Sequence, residues 1–152
     1  MMEVSDISIR AMTLEDLPSV MRIENTCFSD AWSEQSFRDD LGNENYCYLA
    51  ATVEDQLVGY CGYLKAIDTA DIVNVAVDPD FQRKGIGGLM LEALMDHGIR
   101  NGVSVFFLEV RMTNETAVRL YRKAGFEQIG VRKKYYTDPV EDALIFTWAG
   151  GN

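Results

Sequence analysis

A glycine-rich turn beside basic residues is the first feature of this sequence that could do chemistry. The segment FQRKGIGGLMLEALMDHG places two basic residues directly before three glycines, which are Arg83, Lys84, Gly85, Gly87 and Gly88. Glycine lets backbone N–H groups approach a ligand closely, and a helix that begins there adds the positive end of its dipole. The segment therefore predicts a phosphate-binding loop whose two cations neutralise ligand charge. A surface turn with solvated basic residues is the alternative.

Two familiar nucleotide-binding loops do not fit this segment. The dinucleotide fingerprint GxGxxG requires a third glycine where Met90 stands, and the pattern GxxxxGK[ST] is absent from the chain. If the segment binds phosphate, we therefore expect it to do so as a loop of another kind.

Two acidic residues occupy positions where the sequence predicts an apolar environment. Glu109 is the one ionisable residue in the run VFFLEV, and Glu24 falls on the apolar side of the first predicted helix. Because burying a carboxylate without a function or a partner is costly, Glu109 is our candidate general base. An ion pair with Arg111 or Arg132 at the strand end is the alternative. Glu24 either faces an acceptor substrate or is solvated at the edge of its helix face.

Aromatic and amide side chains near the C-terminal end could serve the same site. Tyr121 falls on the inward face of the helix predicted from NETAVRLYRKAGF, where it is either core or a proton donor. Asn114 opens that helix and either caps it or binds a ligand. Tyr135 and Tyr136 lie in the predicted loop KKYYTDPVE, where they either contact a substrate or pack on the sheet.

Composition and charge indicate one globular domain spanning residues 1–152. Hydrophobic residues make up 47% of the chain and charged residues 25%, as in ordinary soluble proteins. The net charge of -10 argues against a nucleic-acid binder, which needs a basic footprint. It suits a cationic partner, although acidity also serves solubility alone. With three cysteines, no CxxC spacing and one histidine, we expect neither a metal site nor a disulfide framework.

The sequence carries no signal for export or membrane insertion. Its N-terminus lacks a basic region followed by an apolar block, and no apolar run reaches the ~18 residues needed to cross a bilayer. We expect a cytoplasmic monomer without a membrane or nucleic-acid partner.

Hydrophobic periodicity predicts a mixed α/β sheet of about seven strands with helices on both faces. Strands are predicted at 7–12, 46–53, 56–66, 71–77, 103–111, 126–132 and 142–148. Helices are predicted at 17–28, 32–41, 85–98 and 114–125, with Gly98 and Gly102 stopping the third. The order strand, helix, strand around the glycine-rich turn implies a parallel crossover.

Two segments together resemble the GNAT superfamily of acetyl-CoA-dependent N-acetyltransferases. They are NVAVDPDFQRKGIGGLMLEAL, whose QRKGIG matches the pattern Q/R-x-x-G-x-G/A, and LEVRMTNETAVRLYRKAGF. The resemblance runs from Ile7 to Trp148 and is closest to the N-terminal acetyltransferases that modify ribosomal-protein alanine. One departure is Ala31, where that group commonly has proline before the tryptophan.

The resemblance implies a role for each candidate residue in acetyl transfer. It implies that Glu109 is the general base, directly or through water, and that Tyr121 protonates the departing CoA thiolate. A splayed pair of central strands would hold acetyl-CoA, and the residues implied to contact it are Val75, Ala76, Val77, Gln82, Arg83, Lys84, Gly85, Ile86, Gly87, Gly88, Asn114 and Tyr121. The residues implied to contact the acceptor are Glu24, Trp32, Tyr135 and Tyr136.

The implied reaction is direct acetylation, in a ternary complex, of the α-amine of the N-terminal alanine of small-subunit ribosomal protein eighteen. No Cys/His pair at a suggestive spacing points to a covalent intermediate. The acidic balance would suit a basic ribosomal tail. The rivals are a GNAT enzyme that acetylates lysine or a small amine such as a polyamine, and a non-catalytic acetyl-CoA sensor.

Overall fold

Seven strands form one sheet in the computed structural model, which describes residues 6–150 of the chain. The strands are β1 Ile7–Ala11, β2 Tyr46–Val53, β3 Gln56–Ala66, β4 Thr69–Val77, β5 Val105–Arg111, β6 Glu127–Tyr136 and β7 Glu141–Ala149. Their order across the sheet is β1-β2-β3-β4-β5-β7-β6. Five neighbouring pairs are antiparallel, and β4–β5 is parallel, as the predicted crossover requires.

Four α-helices connect or flank these strands, and local sequence signals set their ends. They are α1 Leu17–Cys27, α2 Glu34–Leu41, α3 Ile86–Arg100 and α4 Glu115–Lys123. Pro18 lies in the first turn of α1, where a missing N–H costs nothing, and the Ser33 hydroxyl caps α2 by accepting from Ser36 N at 3.1 Å. Gly125 follows α4 with a φ of 98°. No helix among the described residues has the length and hydropathy of a membrane span.

Helices cover both faces of the sheet, as predicted. Helix α3 packs on one face, where Met90, Leu94 and Phe106 are fully buried. Helices α1 and α2 pack on the other, around Ile23 and Phe37. The two cores hold the sheet between them, so residues at the ends of its central strands have fixed positions.

The central strands β4 and β5 separate after a short parallel ladder. Their pairing covers Thr69 to Asp71 on β4, and the last pair is Asp71 with Phe107. Val73 is then an extra residue in the β3–β4 register, which is a β-bulge. Beyond it, β4 continues to Val77 paired only with β3. This splay confirms the predicted shape of the sheet and opens a gap between the two strands.

The predicted stop of the third helix at Gly98 is wrong. Helix α3 continues to Arg100, and Gly98 lies inside it. A Cβ added at Gly98 would stand 2.7 Å from the ring of Phe106, so the glycine allows close packing of α3 on the sheet. Gly102 follows the helix with a φ of 92°, a conformation that favours glycine.

Candidate active site

A cavity of about 540 Å³ opens where β4 and β5 separate. Its walls come from α1, the α1–α2 loop, β4, the end of β5, α4 and the β6–β7 turn. Seven residues singled out from the sequence line it, namely Glu24, Trp32, Val75, Glu109, Asn114, Tyr121 and Tyr136. Side chains far apart in the sequence therefore meet in one place.

Glu109 is a half-buried carboxylate on the wall that β5 contributes. Its Oε1 lies 3.5 Å from Nε of Arg132, so of the two arginines proposed as its partner the structure selects Arg132. Arg111 pairs elsewhere. Burial raises the pKa of Glu109, Arg132 opposes that rise, and Asp71 adds to it. A carboxylate with a raised pKa is a stronger base, which suits it to accept a proton.

Tyr121 contributes a buried phenol from α4. Its ring packs edge-on against Phe126 with centroids 5.9 Å apart, and the residue is 7% exposed. Burial raises the pKa of the phenol above its usual value. The hydroxyl therefore stays protonated at neutral pH, and the residue lines the cavity wall. Core packing and a place at the cavity wall are thus both true of Tyr121.

Glu24 lies at the bottom of the cavity and is 2% exposed. Its Oε1 accepts hydrogen bonds from the Tyr60 hydroxyl and from Asn74 Nδ2, the latter at 2.9 Å. Its Oε2 accepts from the backbone N of Trp32 at 2.9 Å. Of the two alternatives for Glu24, the solvated position at the edge of the helix is therefore wrong, because tertiary contacts from β3, β4 and the α1–α2 loop enclose this side chain.

Asn114 caps α4 and borders the cavity. Its Oδ1 accepts from the backbone N of Ala117 at 3.1 Å, as an N-cap residue does. The side chain is exposed at the cavity wall, so the capping interpretation holds and the residue still faces the gap.

Two residues of β4 direct their backbone groups toward the gap. Asp78 N donates to Val58 O of β3 at 2.8 Å. In an antiparallel pair, alternate residues make the hydrogen bonds to the neighbouring strand, so Ala76 also bonds to β3. The backbone groups of Val75 and Val77 therefore face away from β3, toward the gap. The side chain of Ala76 is buried in the core under α1. The Val77 carbonyl accepts from Gln82 Nε2 at 3.0 Å.

The glycine-rich loop lies beside the cavity, outside its wall. Arg83 and Gly85 have φ values of 64° and 83°, and Gly85 is the N-cap of α3. Arg83 and Lys84 are exposed. A Cβ added at Gly87 would lie 3.4 Å from Leu120 of α4, which puts the start of α3 next to the helix that carries Tyr121. The predicted loop residues thus share the N-terminus of α3, where all but two are exposed: Gly87 is partly buried, and the side chain of Ile86 is buried in the core.

The prediction that Tyr135 and Tyr136 lie in a loop is wrong, because β6 extends through both of them. Pairing of Tyr136 with Glu141 continues the β6–β7 ladder past an irregularity at which Lys134 has a φ of 52°. The two rings meet edge to face with centroids 5.0 Å apart. They line a second cavity, of about 590 Å³, that shares Trp32 and Glu109 with the first.

Two site residues were missed by sequence reasoning. Asn74 interrupts the apolar strand DIVNVAV, the same signal that singled out Glu109, and it binds Glu24. Arg111 contacts two loops at the cavity mouth, and its position at a strand end carried no signal for that. The loops it joins are distant in sequence, so only the folded chain shows the contact.

A cysteine and the single histidine meet away from this site, on the α3 face of the sheet. Cys47 Sγ lies 4.0 Å from His97 Nε2, and the Tyr63 hydroxyl lies 2.8 Å from His97 Nδ1. Burial raises the pKa of the Cys47 thiol, so it stays protonated. Within residues 6–150, no three His, Cys, Asp or Glu side chains are grouped to hold a metal ion.

Sequence comparison connects this geometry to known enzymes. Residues 17–126 match the model of the Acetyltransferase (GNAT) family. The chain is 37% identical over 140 residues to the [Ribosomal protein bS18]-alanine N-acetyltransferase of Salmonella typhimurium, an alignment that covers 91% of this chain and 94% of the relative.

Structure comparison likewise relates the chain to N-acetyltransferases. The ribosomal-protein-S18-alanine N-acetyltransferase of Escherichia coli superposes with a TM-score of 0.88 and 34% identity, covering 96% of this chain and 95% of the other. Ard1 from Thermoplasma volcanium superposes with a TM-score of 0.89 and 27% identity, over 97% and 99% of the two chains.

Proposed function

This chain belongs to the GNAT family of acetyltransferases, and we propose that it acetylates the α-amine of the N-terminal alanine of ribosomal protein bS18. The single observation that carries the proposal is the meeting of Glu109 and Tyr121 at the cavity between the splayed strands. One is a base with a raised pKa and the other a phenol that stays protonated. Acyl transfer to an amine needs both functions.

Acetyl-CoA fits the gap and the glycine-rich loop. The backbone groups of Val75 and Val77 face the gap and are suited to hydrogen-bond the amide groups of the pantetheine arm. The first-turn N–H groups of α3 have no helical partner, and Arg83 and Lys84 beside them supply positive charge for phosphates. When bound, acetyl-CoA supplies the acetyl group as a thioester.

Residues of this chain account for both proton transfers. Glu109 accepts the proton that the α-amine releases, directly or through water, as the nitrogen forms its bond to the acetyl carbon. The carbon–sulfur bond breaks, and the Tyr121 hydroxyl gives its proton to the departing thiolate. We assign Asn114 to the pantetheine arm, which is supported by its position at the cavity wall and by an Nδ2 that the cap does not use.

The acceptor enters from the side that the α1–α2 loop and β6 form. Trp32, Tyr135 and Tyr136 provide aromatic surface there, and Glu24 holds the Trp32 segment in place through its backbone N–H. The net charge of -10 favours a cationic acceptor protein. The relatives named for bS18-alanine acetylation span nearly all of this chain, which supports the same acceptor.

Mass spectrometry after incubation with acetyl-CoA tests the acceptor. The mixture contains basic peptides with a free N-terminal alanine, matched N-blocked peptides that carry lysine, and polyamines. A gain of one acetyl group confined to the free alanine amine is the expected result. Acetylated lysine or polyamine would replace the proposed acceptor within the same family. Binding of acetyl-CoA without any transfer would replace the enzyme by a sensor.

A further inference from the structure

Arg111, the last residue of β5, joins two segments that form the acceptor side of the cavity. Its Nη1 donates to Pro139 O at 3.0 Å and to Glu141 Oε1 at 3.3 Å. Its Nη2 donates to Thr137 O at 3.0 Å and lies 3.6 Å from Asp30 Oδ2. One guanidinium thus contacts the α1–α2 loop and the β6–β7 turn together.

The same guanidinium fixes an aromatic wall of the site. Its carbon lies 4.4 Å from the ring centroid of Tyr136, a cation–π contact. Tyr136 lines both cavities. Among the described residues that line the first cavity, the one between β4 and β5, Arg111 is the one cation beside four carboxylates, and it pairs with two of them, Asp30 and Glu141.

The two segments have little else to hold them together. Ser29 Oγ donates to Asp138 O at 2.5 Å, which gives one further bond between them. Glu141 also accepts from Thr113 N and Thr113 Oγ1 at 2.7 and 2.6 Å, so its carboxylate is held in place beside Arg111. With a side chain only 21% exposed, Arg111 lies between the two segments and contacts both.

We propose that Arg111 is a positioning residue of the acceptor site, which holds the Asp30 loop and the Tyr136 strand end at the spacing that the acceptor N-terminus requires. This inference rests on the proposed function. Within the described residues, the side-chain hydrogen bonds and ion pairs of Arg111 go to Asp30 and the 137–141 segment and not to the glycine-rich loop. We therefore expect a substitution of this side chain to leave acetyl-CoA affinity unchanged.

Lysine at this position keeps the charge and loses the geometry. A guanidinium presents five N–H donors in a planar fork, whereas an ammonium is a point charge that cannot reach partners on both segments and cover a ring as well. Arg111→Lys therefore separates a positioning role from a purely electrostatic one. Asp30→Asn removes the ionic partner on the α1–α2 loop and leaves Arg111 in place.

Steady-state kinetics with the alanine peptide test the proposal. Arg111→Lys is expected to raise the peptide KM by about tenfold or more, with kcat changed by less than about threefold, and Asp30→Asn to raise KM by about threefold. The acetyl-CoA Kd from calorimetry stays at the wild-type value. Arg38→Gln, which breaks an exposed ion pair with Glu34 at 2.9 Å, is the matched control and is expected to leave the peptide KM, kcat and the acetyl-CoA Kd unchanged.

Hydrogen exchange provides a readout that needs no turnover. Amides of residues 28–33 and 136–141 are expected to exchange faster in Arg111→Lys, while those of α3 keep their wild-type rates. Unchanged peptide KM together with unchanged exchange in these segments would overturn the proposal, as would a parallel loss of acetyl-CoA affinity. If the wild-type protein fails to modify the alanine peptide, the proposed function falls, and the exchange result still decides the role of Arg111.

Discussion

The carboxylate of Glu109 lies 3.5 Å from the guanidinium of Arg132. Glu109 itself is two residues beyond Phe107, the last residue of β5 that pairs with β4. The splay leaves this carboxylate without a neighbouring strand on the β4 side, so it faces the gap. Its one ionic partner among the described residues is a side chain that is 57% exposed. Glu109 is thus available for proton transfer in a way that a fully paired carboxylate would not be.

Glu109→Gln is expected to lower kcat for alanine-peptide acetylation by about 10²-fold or more, because the amide cannot accept the amine proton. The side chain keeps its size, so acetyl-CoA binding and thermal stability stay close to the wild-type values. Stopped-flow or steady-state kinetics and calorimetry measure the three quantities. Full activity in the variant would show that the base is another group, and the case for a non-catalytic role of Glu109 would reopen.

Arg132→Gln tests the electrostatic setting of the same carboxylate. The positive charge of Arg132 lowers the pKa of Glu109, so its removal raises that pKa further. A base works only when deprotonated, so the acid limb of the kcat/KM profile should move to higher pH in the variant. Arg38→Gln serves as the control and should keep the wild-type profile. A shift to lower pH in Arg132→Gln would contradict the assignment of Glu109 as the titrating base.

Tyr121→Phe removes the proposed proton donor and keeps the buried ring against Phe126. We expect kcat to fall by about 10²-fold, with the free energy of unfolding changed by no more than about 1 kcal/mol. Tyr63→Phe, in the same core but outside the cavity wall, loses a hydroxyl contact to His97 and is the matched control for loss of a phenol. Equal kinetic effects from the two variants would show that Tyr121 acts only through packing.

Gly87→Ala should separate acetyl-CoA affinity from stability. Alanine favours the helix over glycine by up to about 1 kcal/mol, and the added Cβ stands at a contact distance of 3.4 Å from Leu120. The methyl group is added in the first turn of α3, against which we propose that the phosphates bind, so the Kd for acetyl-CoA should rise by about tenfold, or about 1.4 kcal/mol. Calorimetry and thermal unfolding measure the two effects. Gly42→Ala, at the end of α2, is the control and should leave the Kd unchanged.

Glu24→Ala should unfold more readily than any of these variants. The substitution leaves the Tyr60 hydroxyl, the Asn74 amide and the Trp32 N–H without their acceptor, at a cost of about 3 kcal/mol or more. Glu24→Gln retains an acceptor oxygen, so it should lower the free energy of unfolding by less than Glu24→Ala does. Urea denaturation measures both, with the exposed Glu34→Gln as control. A stability unchanged in Glu24→Ala would mean that the buried network is not formed.

Several elements of the fold were predictable from local sequence because the signals that form them are local. Ser33 and Gly125 mark helix ends by hydrogen bonding and by backbone conformation, and apolar runs marked the central strands. The glycine-rich loop has its predicted place at the start of α3 for the same reason. Tyr135 and Tyr136 were placed in a loop because the strand that holds them depends on pairing with β7 and has no clear alternation of its own.

The sequence by itself determined the type of chemistry available, since Glu109 stands out as a charge in an apolar run and the glycines stand out beside two cations. The tertiary structure alone decided which residues meet. Glu24 is 36 residues from Tyr60 and 50 from Asn74, and Arg111 is 26 or more from its β6–β7 partners. Such contacts depend on how the sheet splays and how helices pack on it, and no pattern within a single segment records that geometry.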